Sequence, residues 1–264
     1  MGDVKEKSDK KSTQKALDPV EVVENRKLKE IDSKILKGEN PEREAFERQR
    51  IERNMDTEVL NRSEMRYGQW ISPERLAAAR KEVAAFQEKG DFKSELTRRD
   101  PVASPEEIER TVGYQTGNEV RVERNTEAPG TLVHERFHSL SHPEAKNVLG
   151  KHLYEGMTEE LALRESDYQS KLYKWERLDD GSYRIEPPPE YYPENRASLN
   201  IIRAKVPEAP LMEAYFQGND KRLEAFIDHD CGDGTWKEAK ELLETAEKSN
   251  DREALEKARK LLRG

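Results

Sequence analysis

Of the five histidines in the chain, two stand four positions apart in Thr131-Leu132-Val133-His134-Glu135-Arg136-Phe137-His138. On a helix, residues spaced by four share a face, so His134 and His138 point the same way. Two imidazoles so placed hold one Zn2+ at about 2.0–2.1 Å from each nitrogen. Glu135 follows His134 directly, within reach of a water on the ion and outside the ligand pair. Seventeen positions beyond His138 begins Glu155-Gly156-Met157-Thr158-Glu159. A catalytic zinc needs three protein ligands and an open position, and Glu155 is the expected third ligand. Glu159, one turn later on the same face, is expected to accept the free ring N–H of a ligating histidine and lock its orientation. The reverse assignment, with Glu159 as ligand, stays open. Gly156 would let another backbone, such as that of the histidine helix, pack closely.

The chemistry of such a set is hydrolysis. Zinc lowers the pKa of its water, Glu135 takes the proton as that water attacks a carbonyl, and the same carboxyl passes it to the departing amine. The oxyanion then needs a donor besides the ion. Candidates are Tyr191, Tyr192 and His229, the last flanked by Asp228 and Asp230. His142 competes as a ligand, but three histidines spread over two turns do not easily converge on one tetrahedral ion, and Pro143 disturbs the local backbone. A place at the helix end or in a substrate cleft suits it better. His152 receives no assignment.

These residues need elements to hold them. The motif helix is expected from about Gly130 to Leu140, ended by His142-Pro143. A second functional helix is expected from Gly150 or Leu153 to about Trp175. Glu119-Val120-Arg121-Val122-Glu123 alternates polar and apolar residues, as an edge or half-buried strand does. At an edge beside the metal it would accept an extended peptide by backbone hydrogen bonding. Ser72 and Pro73 open a helix that runs through Leu76, Val83 and Phe86 to a stop at Gly90. Residues 101–105 read as a linker, and Ser104-Pro105-Glu106-Glu107 opens a short helix. Pro41 to Arg53 reads as a charged helix with a narrow apolar face. Asp179-Asp180-Gly181 makes a turn into Tyr183–Ile185, and Pro187–Pro189 an extended spacer. Helical pieces follow at 196–205, 211–216 and 222–227, with a charged terminal segment from Trp236 to Leu262 interrupted near Ser249-Asn250.

Hydrophobic residues make up 33% and charged residues 39% of the 264. That balance predicts one compact domain of about 150–170 residues with a long solvated segment. Residues 1–20 read as a disordered basic tail, 21–100 as a charged helical extension for regulation or for docking a protein partner, and 105–264 as the compact domain. A net charge of -8 argues against nucleic acid as a partner. Cys231 stands alone, which fits a reducing compartment or a fold held by its core and a metal. No apolar run approaches 18 residues, so no integral membrane association is expected. The expected location is cytoplasmic, or exported without a conventional signal peptide.

At His134-Glu135-Arg136-Phe137-His138 and Glu155-Gly156 the sequence resembles zincin metallopeptidases, specifically the glutamate-liganded gluzincins. Glu159 matches the acidic position one turn after the third ligand in thermolysin-like enzymes. The asparagine that precedes the glutamate in many gluzincins is Tyr154 here. The metzincin pattern fails, because Glu144 stands where a third histidine or aspartate would be. The Glu-Gly-x-Thr-Glu arrangement is similar to small zincin domains of bacterial and phage effector or toxin proteins. The resemblance implies an α+β fold, mainly helical, with a small sheet whose edge strand borders the active site. It also implies one Zn2+ and cleavage of a protein or peptide substrate. Two other readings stay open: a zincin-like module that binds partners without hydrolysis, and a charged helical interaction protein with an accidental motif.

Overall fold

Serine caps start two of the early helices. Ser72 accepts a hydrogen bond from the Arg75 backbone N–H at 3.1 Å and opens α2 (Pro73–Lys81). Ser104 and Glu107 form a reciprocal capping box on α4 (Pro105–Arg110). The computed structural model describes residues 41–117, 119–124, 131–166, 174–177, 183–186 and 192–264. The expected basic tail, the turn at 179–181, the prolines at 187–189 and Tyr191 lie outside these residues.

The helix expected from Ser72 to Gly90 divides. After Lys81 the backbone turns extended at Glu82, and β1 (Val83–Gln87) pairs in parallel with β3 (Glu119–Glu123). Val83 and Phe86 belong to types that suit a pleated surface, and pairing with a distant strand overrides the local helical pattern. Gly90 then lies inside α3 (Lys89–Arg99) rather than ending a helix. β2 (Gly113–Thr116) runs antiparallel to β3 through a turn containing Gly117, whose φ is 55°. The sheet order is β1-β3-β2. Segment 119–123, expected as an edge or half-buried strand, is half-buried and central rather than at an edge. Its Val120 and Val122 are buried on the core side.

The motif helix, α5 (Thr131–Leu140), is buried along nearly its whole length and packs on α2, β2, β3 and the long helix that follows. That helix, α6 (Ala145–Ser166), is interrupted at Gly150, where φ is 73°, a conformation glycine adopts without a Cβ clash. The interruption falls where a start was expected. The far end does not: Trp175 lies in β4 (Lys174–Arg177), which pairs antiparallel with β5 (Tyr183–Glu186). Five helices complete the chain: α7 (Pro193–Arg203), α8 (Glu208–Gln217), α9 (Lys221–Cys231), α10 (Thr235–Ser249) and α11 (Arg252–Arg263). The break between the last two sits at Asn250, in left-handed geometry, and Asp251 caps α11.

Residues 41–100, expected as part of a separate extension, share one core and one sheet with the rest. α1 (Pro41–Tyr67) contributes Met55, Val59, Leu60 and Tyr67 to the cluster that also holds Leu132, Phe137 and Leu161. Its Glu52 receives Arg124 at 2.7 Å, which fastens it to the end of β3. The architecture is α+β, mostly helical with a small mixed sheet. Among the described residues, no helix is long and apolar enough to cross a membrane.

Candidate metal centre

α5 and α6 cross so that His134, His138 and Glu155 converge. His134 Nε2 and His138 Nε2 stand 3.1 Å apart, and Glu155 Oε2 lies 3.6 Å from the first and 3.3 Å from the second. Donors bound tetrahedrally at about 2.0–2.1 Å stand about 3.3–3.4 Å from one another. The three atoms form nearly that triangle. Among the described residues this is the one group of three or more His, Cys, Asp or Glu side chains whose donor atoms gather in this way.

The hydrogen bonds around the cluster suit a cation. His134 Nδ1 lies 2.9 Å from Glu159 Oε2. An ionised carboxylate only accepts, so Nδ1 carries a proton and Nε2 is the ring nitrogen that faces the cluster. Glu155 Oε2 is buried and has no hydrogen-bond partner. Positive charge holds three such atoms together, as protons on the imidazoles in the metal-free pocket or as a metal ion in their place. A metal ion fits these residues.

The electrostatics agree. Burial opposes the charged form of His134, but Glu155 and Glu159 outweigh it and raise the ring's pKa to about 10. Burial also works against ionisation of Glu155, and the two imidazoles beside it hold its carboxyl far below the usual range. The pocket attracts positive charge.

Glu135 is buried, and burial pushes its carboxyl pKa up while His138 and His134 pull it back. Its carboxyl lies against β2. A Cβ added at Gly113 would stand 3.0 Å from Glu135 Oε1 and 2.5 Å from Thr131 Cγ2, so only glycine lets the edge strand approach this closely. Glu123 N–H donates to Val112 C=O at 2.9 Å, and Tyr114 and Thr116 pair with Arg121 and Glu119. Antiparallel alternation then turns the backbone groups of Gly113 and Gln115 away from β3, toward the side of β2 on which no strand pairs among the described residues.

Tyr192 stacks its ring on His134, with centroids 5.4 Å apart and planes at 8°. Its backbone is left-handed, with φ 53°, which is uncommon for a side chain of this size. Burial, then the charges of Glu155, Glu135 and Glu159, push its hydroxyl pKa up, so it stays a donor. His229 does not join the group: its side chain is 85% exposed on α9 and bonds Asp230 at 2.8 Å. Exposure at a helix end removes it as an oxyanion donor. His142 lies at the end of α5, where its Nδ1 accepts from the Glu144 backbone at 3.1 Å and its ring packs against Gly218. His152 is buried and bonds Ser198 and Glu247. Gly156 does allow a close backbone, but it is that of Asn195 on α7, whose carbonyl oxygen would stand 2.8 Å from an added Cβ. The histidine helix is on another side.

Three contributors escaped the sequence reading. Thr158 lies 3.4 Å from His138 Nδ1, and Tyr215 bonds Thr158 at 2.8 Å. Thr158 carried a signal, its place between Glu155 and Glu159 on α6; Tyr215 carried none. Arg136, between the motif's glutamate and second histidine, is fully buried. No protein family, no curated protein and no solved structure matches this chain.

Proposed function

We propose that this protein is a zinc-dependent peptidase acting on a protein or peptide, as its resemblance to gluzincins implies. The carrying observation is the near-tetrahedral triangle of His134 Nε2, His138 Nε2 and Glu155 Oε2 beside the buried Glu135 carboxyl and a free strand edge. Two nitrogens and one carboxylate oxygen are a donor set that suits zinc. When bound, zinc supplies Lewis-acid activation of water and of the carbonyl under attack.

The chain's own residues do the rest. Glu135 accepts a proton from the attacking water at its carboxylate oxygen and returns it to the leaving amine nitrogen. Its burial keeps that proton from exchanging freely with solvent. Tyr192 donates its hydroxyl proton in a hydrogen bond to the developing oxyanion. An extended substrate pairs with Gly113 and Gln115 on the open side of β2, which favours peptides over small amides or esters. Glu159 holds the His134 ring, and Gly113 removes the side chain that would push the substrate edge away from Glu135.

Glu135→Gln tests this reading. Zinc-loaded wild type incubated with a mixed peptide library should yield new amino termini, and the variant should lose that activity by about 10²–10⁴-fold while keeping zinc. Equal activity in the variant would contradict the base role. No cleavage by zinc-loaded wild type would favour a partner-binding module instead.

A further inference from the structure

His134 and His138 are supported by unlike groups. The ring N–H of His134 meets a carboxylate, whereas Nδ1 of His138 meets the Thr158 hydroxyl. We infer that Thr158, braced by Tyr215, is a positioning residue that sets His138 with its Nε2 lone pair toward the metal. This rests on the metal-centre reading above and adds a second support that the motif alone does not specify.

Thr158 has one hydroxyl hydrogen and two neighbours that take it, the Tyr154 carbonyl at 2.9 Å and the Tyr215 hydroxyl at 2.8 Å. Tyr215 in turn donates to the Phe137 carbonyl at 3.0 Å, so its own hydrogen is committed to the motif helix. Toward His138, Thr158 is left as an acceptor. That acceptor faces Nδ1 and orients the ring with Nε2 toward the cluster, 3.3 Å from Glu155 Oε2. The whole relay is closed to solvent, with Thr158 and Tyr215 both fully buried.

A single stretch of α6 therefore supplies the ligand Glu155 and both supports, Thr158 for His138 and Glu159 for His134. The choice of a neutral hydroxyl has a charge rationale. Glu135, Glu155 and Glu159 already surround one dication, and another carboxylate on His138 would add like-charge repulsion. Tyr215 brings α8 into the metal centre: it ties the carbonyl beside His138 to the hydroxyl that holds the ring. Tyr154 closes the remaining side, its ring 5.0 Å from His138 and 5.5 Å from Tyr215.

The test uses the full chain and zinc itself. Thr158→Val keeps the shape and removes the acceptor; Thr158→Ser restores it; Tyr215→Phe removes only the brace. Competition with a chromophoric chelator should show zinc bound about 10-fold or more weaker in Thr158→Val, near wild type in Thr158→Ser, and reduced less in Tyr215→Phe. In imidazole NMR of the zinc-loaded protein, the His138 Nδ1–H signal should be protected in wild type and exchange faster in Tyr215→Phe. Should Thr158→Val fail to fold, that exchange rate alone decides, and an unchanged rate overturns the inference. Zinc affinity in folded Thr158→Val within about twofold of wild type overturns it as well, as does equal weakness in the serine variant. A Thr158-dependent zinc site that cleaves no peptide would overturn only the peptidase reading, and wild type that takes up no zinc would overturn both.

Discussion

Arg136 and His134 lie two residues apart on one buried helix, and their surroundings are finished differently. Every guanidinium nitrogen of Arg136 is used: Nε and one Nη reach the two oxygens of Asp56 at 2.5 and 2.6 Å, and the Nη groups also donate to the carbonyls of Ala79 and Glu82. On the other face, the two Nε2 atoms point at each other and at a Glu155 oxygen without a hydrogen-bond partner. The first arrangement joins α1 and α2 to the motif helix, and every nitrogen of Arg136 is in use. The second gathers three ligand atoms that could hold a metal ion. A side chain whose donors are all taken by the protein acts structurally, whereas ligand atoms of three side chains converging at metal-binding spacing offer a site.

The comparison predicts opposite responses to mutation. Arg136→Ala strands the Asp56 carboxylate and should cost about 3–5 kcal/mol of stability in chemical denaturation. His138→Ala, which removes one of the converging acceptors, should cost metal-free protein much less. A smaller loss in Arg136→Ala than in His138→Ala would reverse the two roles.

His152 offers a milder version of the closed case. Its nitrogens reach Ser198 at 3.1 Å and Glu247 at 3.4 Å, which links α6 to α7 and α10. The His152 contact, opposed by burial and aided by Lys151, lowers the Glu247 pKa to about 2 from an ordinary 4.5. A carboxyl whose folded pKa is depressed stabilises above its unfolded value, and that contribution fades as pH falls from 4.5 toward 2. Glu247→Gln should therefore flatten the acid limb of a melting-temperature profile over this window and leave its form at neutral pH unchanged. The effect is the smallest of the set, because Glu247 is partly exposed and screened by solvent. An acid limb as steep as wild type would remove Glu247 from the network.

Local signals carried most of what the sequence revealed. The spacing of His134 and His138, the Glu155-Gly156 start of the ligand turn, the serine caps and the breaks at Gly150 and Asn250 each depend on a few adjacent residues. What stayed hidden depends on distant partners. Strand 83–87 becomes a strand because β3 lies beside it, and β2 becomes the free edge only once the order of three strands is set. Nothing local marks Arg136 as buried, because its partner Asp56 stands 80 residues earlier on α1. Tyr215 had no motif to point to it, since its role arises where α8 crosses α5 and α6.

Two imidazole nitrogens and one carboxylate oxygen are proposed to hold a single transition metal. Zinc-edge X-ray absorption on stoichiometrically loaded wild type, beside Glu155→Ala and Glu159→Ala, tests it most directly. The account predicts one zinc per chain, two nitrogen and at least one oxygen neighbour at about 2.0–2.1 Å, near-complete loss of metal in Glu155→Ala, and weakened retention in Glu159→Ala. Equal zinc content and an identical spectrum in wild type and Glu155→Ala would contradict it.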